Sequence, residues 1–168
     1  MNIDAYYTSM KEKFSANYDV YDTFKLCDIK TDLYAHFYAR NEKYLATKSA
    51  TIYAFENNEH TFFKHYETVT VTDIMTLVKA LKSAIPDLVD PHSEHMSTRL
   101  SGVIVTQNSI SDDVLNHIQS FKYQKTFLFG LKGWVDICLI VVNLSDKSVI
   151  TSKKAKKMMP YFSPEPLQ

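Results

Sequence analysis

The spacing of apolar residues along this chain switches between a repeat of two and a repeat near 3.6. Apolar and amphipathic side chains alternate over residues 33–40, which is the period of a strand with two different faces. Over residues 72–88 the apolar positions recur at steps of three and four, which predicts a helix. The unbroken apolar run 137–142 predicts a central strand that is buried on both faces.

Capping residues and the same two periods predict the other elements. Asp4 is expected to cap a first helix that reaches Ala16, Thr72 to cap the second helix, and Ser111 to begin a third. Further strands are predicted at residues 100–106, 126–129, 134–144 and 148–151, followed by a short terminal helix.

A hairpin is predicted before the second helix. Residues 51–55 and 61–63 have strand composition, and they flank Glu-Asn-Asn-Glu at 56–59, where Asn tolerates the positive φ of a tight turn. Together the elements predict an α+β fold, a mostly antiparallel mixed sheet of about six or seven strands with three or four helices packed on it. No linker divides the chain, so we expect a single domain over residues 1–168.

The composition is that of a folded protein, with 45% hydrophobic and 23% charged residues. Glycine is scarce, at positions 102, 130 and 133 only. Phosphate-binding loops of the Walker or dinucleotide type need glycines at fixed offsets, and the chain has neither pattern. It also lacks a His-Glu-x-x-His helix and paired Cys-x-x-Cys arms, so the commonest motif-defined enzyme classes are excluded.

Charge and cysteine content indicate the cellular setting. Basic and acidic residues number 19 each, so no net charge attracts nucleic acid or lipid, and neither is expected as a partner. Cys27 and Cys138 fit no metal spacing or disulfide framework, and the first 15 residues contain no signal-peptide core. We therefore expect a cytoplasmic protein without a membrane segment. The segment 152–168 is basic, and its lysines oppose the dipole of a terminal helix, which predicts fraying.

The first candidate site is the segment Pro-His-Ser-Glu-His-Met at residues 91–96. His92, Glu94 and His95 could bind a divalent metal or sense pH, with imidazoles as neutral ligands and the carboxylate as a third ligand or base. The alternative is a polar segment that exposes its charges to water, because no third protein ligand can be identified. No cofactor is expected unless this cluster holds a metal.

A second candidate is the amphipathic face of the strand 33–40. Tyr34, His36, Tyr38 and Arg40 could form an aromatic interface that pairs two copies of the chain. The same face could stack single-stranded nucleic acid, but the absence of a basic field and of a ribonucleoprotein motif disfavours that interpretation.

A third candidate is a pocket formed by Phe127, Phe129, Trp134 and Asp136, where aromatic residues surround two of the three glycines. The alternative is that the glycines provide turn geometry while the aromatic rings fill the core. Asp136 enters a buried strand and in this respect resembles the metal-binding acid of restriction-endonuclease-like nucleases. That family has Glu-x-Lys or Asp-x-Lys on the following strand, where this chain has Ser-Val-Ile-Thr at 148–151, so the resemblance implies a catalytically altered relative.

Four segments carry a second resemblance, namely Arg-Asn-Glu-Lys-Tyr at 40–44, Tyr-Ala-Phe-Glu at 53–56, the segment 91–96, and Phe-Gly-Leu-Lys-Gly-Trp at 129–134. In these the chain resembles a small family of uncharacterised single-domain proteins from anaerobic bacteria and archaea. The resemblance covers most of the chain and implies no activity or cofactor.

The sequence favours a non-catalytic binding or protein-interaction module, because no complete catalytic constellation is present. Its expected partners are a second copy of the chain in a homodimer and an unidentified protein or small molecule. The alternative is a metal-dependent hydrolase, or a degenerate restriction-endonuclease-like nuclease, that uses His92, Glu94 and His95.

Overall fold

The computed structural model describes residues 1–44 and 51–164. Its α-helices are α1 (Ile3–Ser15), α2 (Val71–Ser83), α3 (Ile85–Leu88) and α4 (Asp112–Ser120), and two 3-10 helices span Leu128–Gly130 and Lys153–Phe162. Its strands are β1 (Asp19–Tyr21), β2 (Phe24–Leu26), β3 (Ile29–Thr31), β4 (Leu33–Tyr44), β5 (Thr51–His65), β6 (His95–Thr106), β7 (Tyr123–Thr126), β8 (Trp134–Asn143) and β9 (Ser148–Thr151).

A seven-stranded mixed sheet organises these elements, and β2 and β3 form a separate two-stranded sheet. The strand order is β1-β4-β5-β6-β8, and β7 and β9 pair with different halves of β8. Strands β5, β6 and β8 are parallel because α2 and α4 carry the chain back between them, whereas the outer pairings are antiparallel. The predicted α+β fold is confirmed.

Side chains on the two faces of the sheet belong to two separate apolar clusters. Helices α2, α3 and α4 pack on the α2 face, against side chains such as Phe62, Leu100 and Leu139. Helix α1 and the C-terminal 3-10 helix pack on the α1 face, against side chains such as Phe63 and Val103. Because the strand repeat is two, neighbouring residues of one strand reach opposite layers.

Helix α2 is capped by Thr70, two residues before the predicted cap Thr72. The Thr70 hydroxyl accepts from the backbone of Asp73, and the Asp73 carboxylate accepts in return from the backbone of Thr70, which completes a capping box. The helix lies so close to β6 that a Cβ on Gly102 would come within 2.9 Å of a Leu77 methyl carbon. Gly102 therefore allows α2 to approach the sheet.

The predicted hairpin around residues 56–59 is wrong. Strand β5 continues through these residues, and Asn57 and Asn58 pair with β4 on one side and β6 on the other. Asn57 also accepts a hydrogen bond of 2.7 Å from the Ser97 hydroxyl, so neighbouring strands satisfy polar groups that would otherwise favour a turn. Helix α1 likewise begins after Asn2 rather than Asp4.

The chain around β8 also differs from the prediction. Strand β7 ends at Thr126, where the predicted strand 126–129 begins, and Leu128–Gly130 forms a 3-10 turn instead of a strand. Strand β7 pairs with the first part of β8, and β9 pairs with the last part. Between these two parts, Ser152 makes the hydrogen bonds to Leu139 that a neighbouring strand would otherwise make. Its backbone N–H donates to the Leu139 carbonyl at 2.8 Å, and its hydroxyl accepts from the Leu139 N–H at 3.0 Å.

Candidate functional site

His95 is buried at the start of β6 and is fully hydrogen-bonded. Its Nδ1 donates to the Lys132 carbonyl at 2.7 Å, so its Nε2 accepts from the Thr98 hydroxyl at 2.9 Å. Gly133 lies directly against this imidazole, because a Cβ there would be 2.7 Å from the His95 Nδ1 and 2.3 Å from the Met96 carbonyl. His95 thus fastens the β7–β8 loop to β6.

His92 and Glu94 belong to a different group, the ionic network of Tyr38, Arg40, Glu56, His92 and Glu94 on the α2 face. Arg40 donates to both Glu94 oxygens at 3.1 Å. His92 Nδ1 accepts from the Glu94 N–H, so its Nε2 donates to Glu56 at 2.9 Å. The Tyr38 hydroxyl donates to the other Glu56 oxygen at 2.7 Å, which lowers the pKa of that carboxyl, with His92 adding to the effect.

The structure therefore separates the three residues of the predicted His-Glu-His cluster. The rings of His92 and His95 are 6.4 Å apart and make their hydrogen bonds to different parts of the chain. Within residues 1–44 and 51–164 no group of three His, Cys, Asp or Glu side chains is arranged to hold a metal ion. His92 and Glu94 bind their loop to β4 and β5, whereas His95 binds the β7–β8 loop to β6.

The predicted aromatic interface is divided between the interior and the surface. Tyr34 is buried beneath Phe24 and Phe62, and burial raises its pKa to about 12. Tyr38 and Arg40, farther along β4, are exposed. His36 is half-buried and stacks on His60 with ring centroids 4.4 Å apart.

His60, which the sequence analysis did not single out, lies within this row of rings. Its Nδ1 and the Tyr34 hydroxyl share a hydrogen bond of 2.7 Å, while its buried Nε2 has no hydrogen-bond partner among the described residues. Burial, assisted by the neighbouring His36, lowers the pKa of His60 to about 4. The imidazole is therefore neutral at physiological pH.

The four residues of the predicted pocket have different surroundings. Phe127 packs edge-on against His95, while Phe129 is 99% exposed. Trp134 and Asp136 lie on the α1 face, where the indole N–H donates to the carboxylate at 3.2 Å. Lys154 of the C-terminal 3-10 helix pairs with the same carboxylate.

A cleft that sequence reasoning missed lies on the α1 face, between the sheet, α1 and the C-terminal 3-10 helix. Its volume is about 630 Å³. Its lining consists of Lys13, Phe14, Asn17, Tyr18, Phe37, Glu59, Thr61, Arg99, Met158, Tyr161 and Phe162. These residues come from five separate parts of the chain, so no local spacing in the sequence could have indicated the cleft.

The polar groups of the cleft centre on Glu59. Arg99 donates to one Glu59 oxygen at 3.0 Å, and the Tyr18 hydroxyl donates to the other at 2.7 Å. The Arg99 guanidinium has five N–H donors, and in the described part of the chain Glu59 is its one hydrogen-bond partner. Arg99 therefore offers unused donors beside the cleft.

The pKa shifts of Tyr18 and Lys13 show that part of the cleft lining is buried. Burial, together with the hydrogen bond to Glu59, raises the pKa of Tyr18 above its ordinary value. Burial also lowers the pKa of Lys13, whose ammonium group donates to the Ser163 carbonyl at 3.4 Å. The cleft nevertheless stays open to water, because 40% of the Arg99 side chain is exposed, so solvent partly screens its attraction for an anion.

The fold and this cleft define the class of protein as an α+β protein with a ligand-sized cleft between one sheet face and the helices that cover it. The chain belongs to the family described as Domain of unknown function (DUF8052), whose model matches residues 2–164. This confirms the resemblance to an uncharacterised family, whereas the organisms in which the family occurs stay a prediction. Neither the curated proteins nor the solved structures contain a match to the chain.

Among the described residues, the helices are too short or too polar to span a bilayer.

Proposed function

We propose that this protein is a non-catalytic binding module whose cleft on the α1 face takes a small amphiphile with a carboxylate head. The observation that carries the proposal is the cleft itself, since its volume of about 630 Å³ falls within the range of about 300–1,000 Å³ that is typical of small-molecule sites.

The distribution of side chains supports an amphiphilic ligand. Carbon-rich side chains dominate one part of the lining, in particular Phe14, Phe37, Met158 and Phe162. Arg99 adds a planar guanidinium with unused donors, which matches the geometry of a carboxylate in two parallel hydrogen bonds. A ligand with an apolar body and an anionic head satisfies both parts.

The state of Glu59 supports binding rather than catalysis. Both of its oxygens already accept hydrogen bonds, one from Arg99 and one from Tyr18, so the carboxylate is poorly placed to accept a substrate proton. The described cleft lining contains no His, Cys or Ser. The alternative of a metal-dependent hydrolase has less support, because Glu56 and Arg40 already bind His92 and Glu94.

Calorimetric titration with decanoate tests the proposal, with decanol as the uncharged analogue. We expect decanoate to bind at one site and Arg99→Met to weaken it about tenfold, because about 1.4 kcal/mol of charged hydrogen bonding is lost. Decanol should bind the variant and the parent protein alike. Arg40→Met is the matched control, since the chain has one other arginine and it lies on the α2 face.

Three outcomes would contradict the proposal. They are no binding of decanoate, equal affinity for decanoate and decanol, and an Arg99→Met variant that is folded and binds decanoate as the parent does. Thermal unfolding of each variant shows whether it is folded.

The homodimer and the cytoplasmic location are part of the same proposal. Since Tyr34 is buried, a dimer through the aromatic sheet face would use the exposed Tyr38, and one through a helix face would use Met75 of α2. Sedimentation at low micromolar concentration should then give a species of twice the chain mass of 19.4 kDa, and the chain mass alone would contradict it.

A further inference from the structure

The β7–β8 loop presents an apolar tip, which we define as Leu128, Phe129 and Leu131. Their exposed fractions are 57%, 99% and 76%. Loops usually carry polar residues at such positions, and contiguous exposed apolar side chains mark interaction surfaces. The tip therefore needs a partner that covers it.

The backbone holds the tip in this arrangement. Leu128 and Phe129 have φ values of 47° and 53°, in the left-handed region that is sterically unfavourable for a bulky residue. The loop is closed at its base, where Phe127 N–H donates to the Gly133 carbonyl at 2.9 Å and Lys132 N–H donates to the Phe127 carbonyl at 3.1 Å. With His95 bonded to the Lys132 carbonyl, the fold supports a conformation that local preference opposes.

Although the chain has no net charge, the segment that contains the tip is locally basic. Between Asp113 and Asp136 the chain has three lysines, at positions 122, 125 and 132, and no acidic residue. Lys125 lies over the ring of Phe127 at 5.6 Å, beside the tip. Lys82 of α2 lies over the ring of Tyr123 at 4.8 Å, so α2 extends the cationic surface to β7.

We propose that the apolar tip inserts into the surface of an anionic lipid bilayer, with the surrounding lysines against the lipid phosphates. A bilayer fits because the tip is convex, and a fluid interface closes around a protruding Phe and Leu without a preformed groove. Each lysine near an anionic surface adds to the electrostatic attraction. Docking of this kind needs no spanning helix, which is why the chain's apolar runs gave no sign of it.

A second copy of the chain is a poorer occupant. An apolar groove that could receive the tip is lined by Ile74, Met75, Val78, Lys79, Lys82, Ser83, His117 and Phe121. Placing the tip of one copy in the groove of another would bring Lys125 and Lys132 against Lys79 and Lys82. Like charges at an interface oppose association, and this disfavours self-recognition.

Vesicle flotation of the full chain tests the proposal, with phosphatidylcholine vesicles that contain phosphatidylserine at about 30% or none. We expect binding to the anionic vesicles and a loss of at least about tenfold in the partition coefficient for Phe129→Ser/Leu131→Ser, since two apolar insertions are removed. Lys125→Gln/Lys132→Gln should weaken binding and reduce its dependence on salt.

Tyr21→Ser is the matched control, because Tyr21 is 50% exposed and lies on β1, at the opposite edge of the sheet from β7. It should float with the vesicles as the parent does. Since the tip residues are exposed, their substitution should leave the thermal unfolding midpoint unchanged, which separates lost docking from lost folding.

The proposal is overturned if the protein does not float with anionic vesicles, or if Phe129→Ser/Leu131→Ser floats as well as the parent. It is also overturned if the tip variants change the sedimentation coefficient instead, because the tip would then bind another copy of the chain. None of these outcomes depends on decanoate binding in the cleft.

Discussion

Strand β5 supplies one glutamate to each face of the sheet, and the two glutamates have closely similar partners in different surroundings. Glu56, on the α2 face, accepts from Tyr38 and His92, and Arg40 completes its ionic network through Glu94. Glu59, on the α1 face, accepts from Tyr18 and Arg99 beside the cleft.

The difference lies in what covers each group. On the α2 face, loop residues 92–94 fold over the strands, and their own imidazole and carboxylate bind Glu56 and Arg40. On the α1 face, helices leave space above Arg99, and our proposal assigns its unused donors to a ligand. The same residue types thus serve to hold the chain together on one face and are available to a ligand on the other.

The largest change in the free energy of unfolding is expected at Gly133, where the β7–β8 loop contacts the start of β6. Gly133→Ala would place a Cβ 2.3 Å from the Met96 carbonyl at a φ of +74°, so it should destabilise the protein by about 3 kcal/mol or more. Urea unfolding measures this change.

Gly130→Ala is the matched control for that prediction. Its φ of +89° is similarly strained for alanine, but a Cβ there meets no atom within 4 Å, so the cost should be about 1 kcal/mol. If the two substitutions lowered the free energy of unfolding equally, contact with β6 would not contribute to the cost of Gly133→Ala.

The next effect is a pH dependence that arises from His60 on the α2 face. Its pKa of about 4 in the folded protein is below the ordinary 6.5, so the unfolded chain binds more protons between these values. The free energy of unfolding should therefore fall by roughly 2–3 kcal/mol as the pH is lowered from 7 to about 4.5.

His60→Phe should flatten this part of the stability profile, because the buried imidazole is gone. His117→Phe is the control, since His117 is exposed on α4 and its replacement should leave the slope as it is. A slope that persists in His60→Phe would assign the pH dependence to other groups.

The smallest expected change in the free energy of unfolding comes from removing the hydroxyl of Tyr18 or of Tyr38. Each donates a hydrogen bond of 2.7 Å to its glutamate, but Tyr18 is half-buried beside the cleft and Tyr38 is exposed. Tyr18→Phe should therefore cost about 1 kcal/mol of unfolding free energy, and Tyr38→Phe less than that, because water replaces the bond at an exposed site. Thermal and urea unfolding of both variants would detect a reversed order.

Helix α2 and strand β8 could be predicted from the sequence because each depends on local information. The periodic apolar residues of α2 and the continuous apolar run of β8 determine the element by themselves. Both ends of β5 were predicted as strands, but its continuity was missed because Asn57 and Asn58 favour a turn locally, and pairing with two neighbouring strands overrides that preference.

The candidate site could be predicted only in part, for a related reason. The residues around 92–95 were singled out, but their partners Arg40 and Glu56 come from other strands. The cleft depends on tertiary contacts between α1, the sheet and the C-terminal 3-10 helix, which no spacing records. The exposure of Phe129 was also missed, because a loop aromatic has the same local signature whether it is buried or not.

Ser152 has a consequence for how members of this family can vary in length. Because Ser152 directly follows β9 and completes the hydrogen bonding of Leu139, the interval between β9 and Ser152 is constrained, and a residue inserted there would leave those polar groups unmatched in the interior. Homologous chains should therefore tolerate indels at surface turns elsewhere and keep this interval constant.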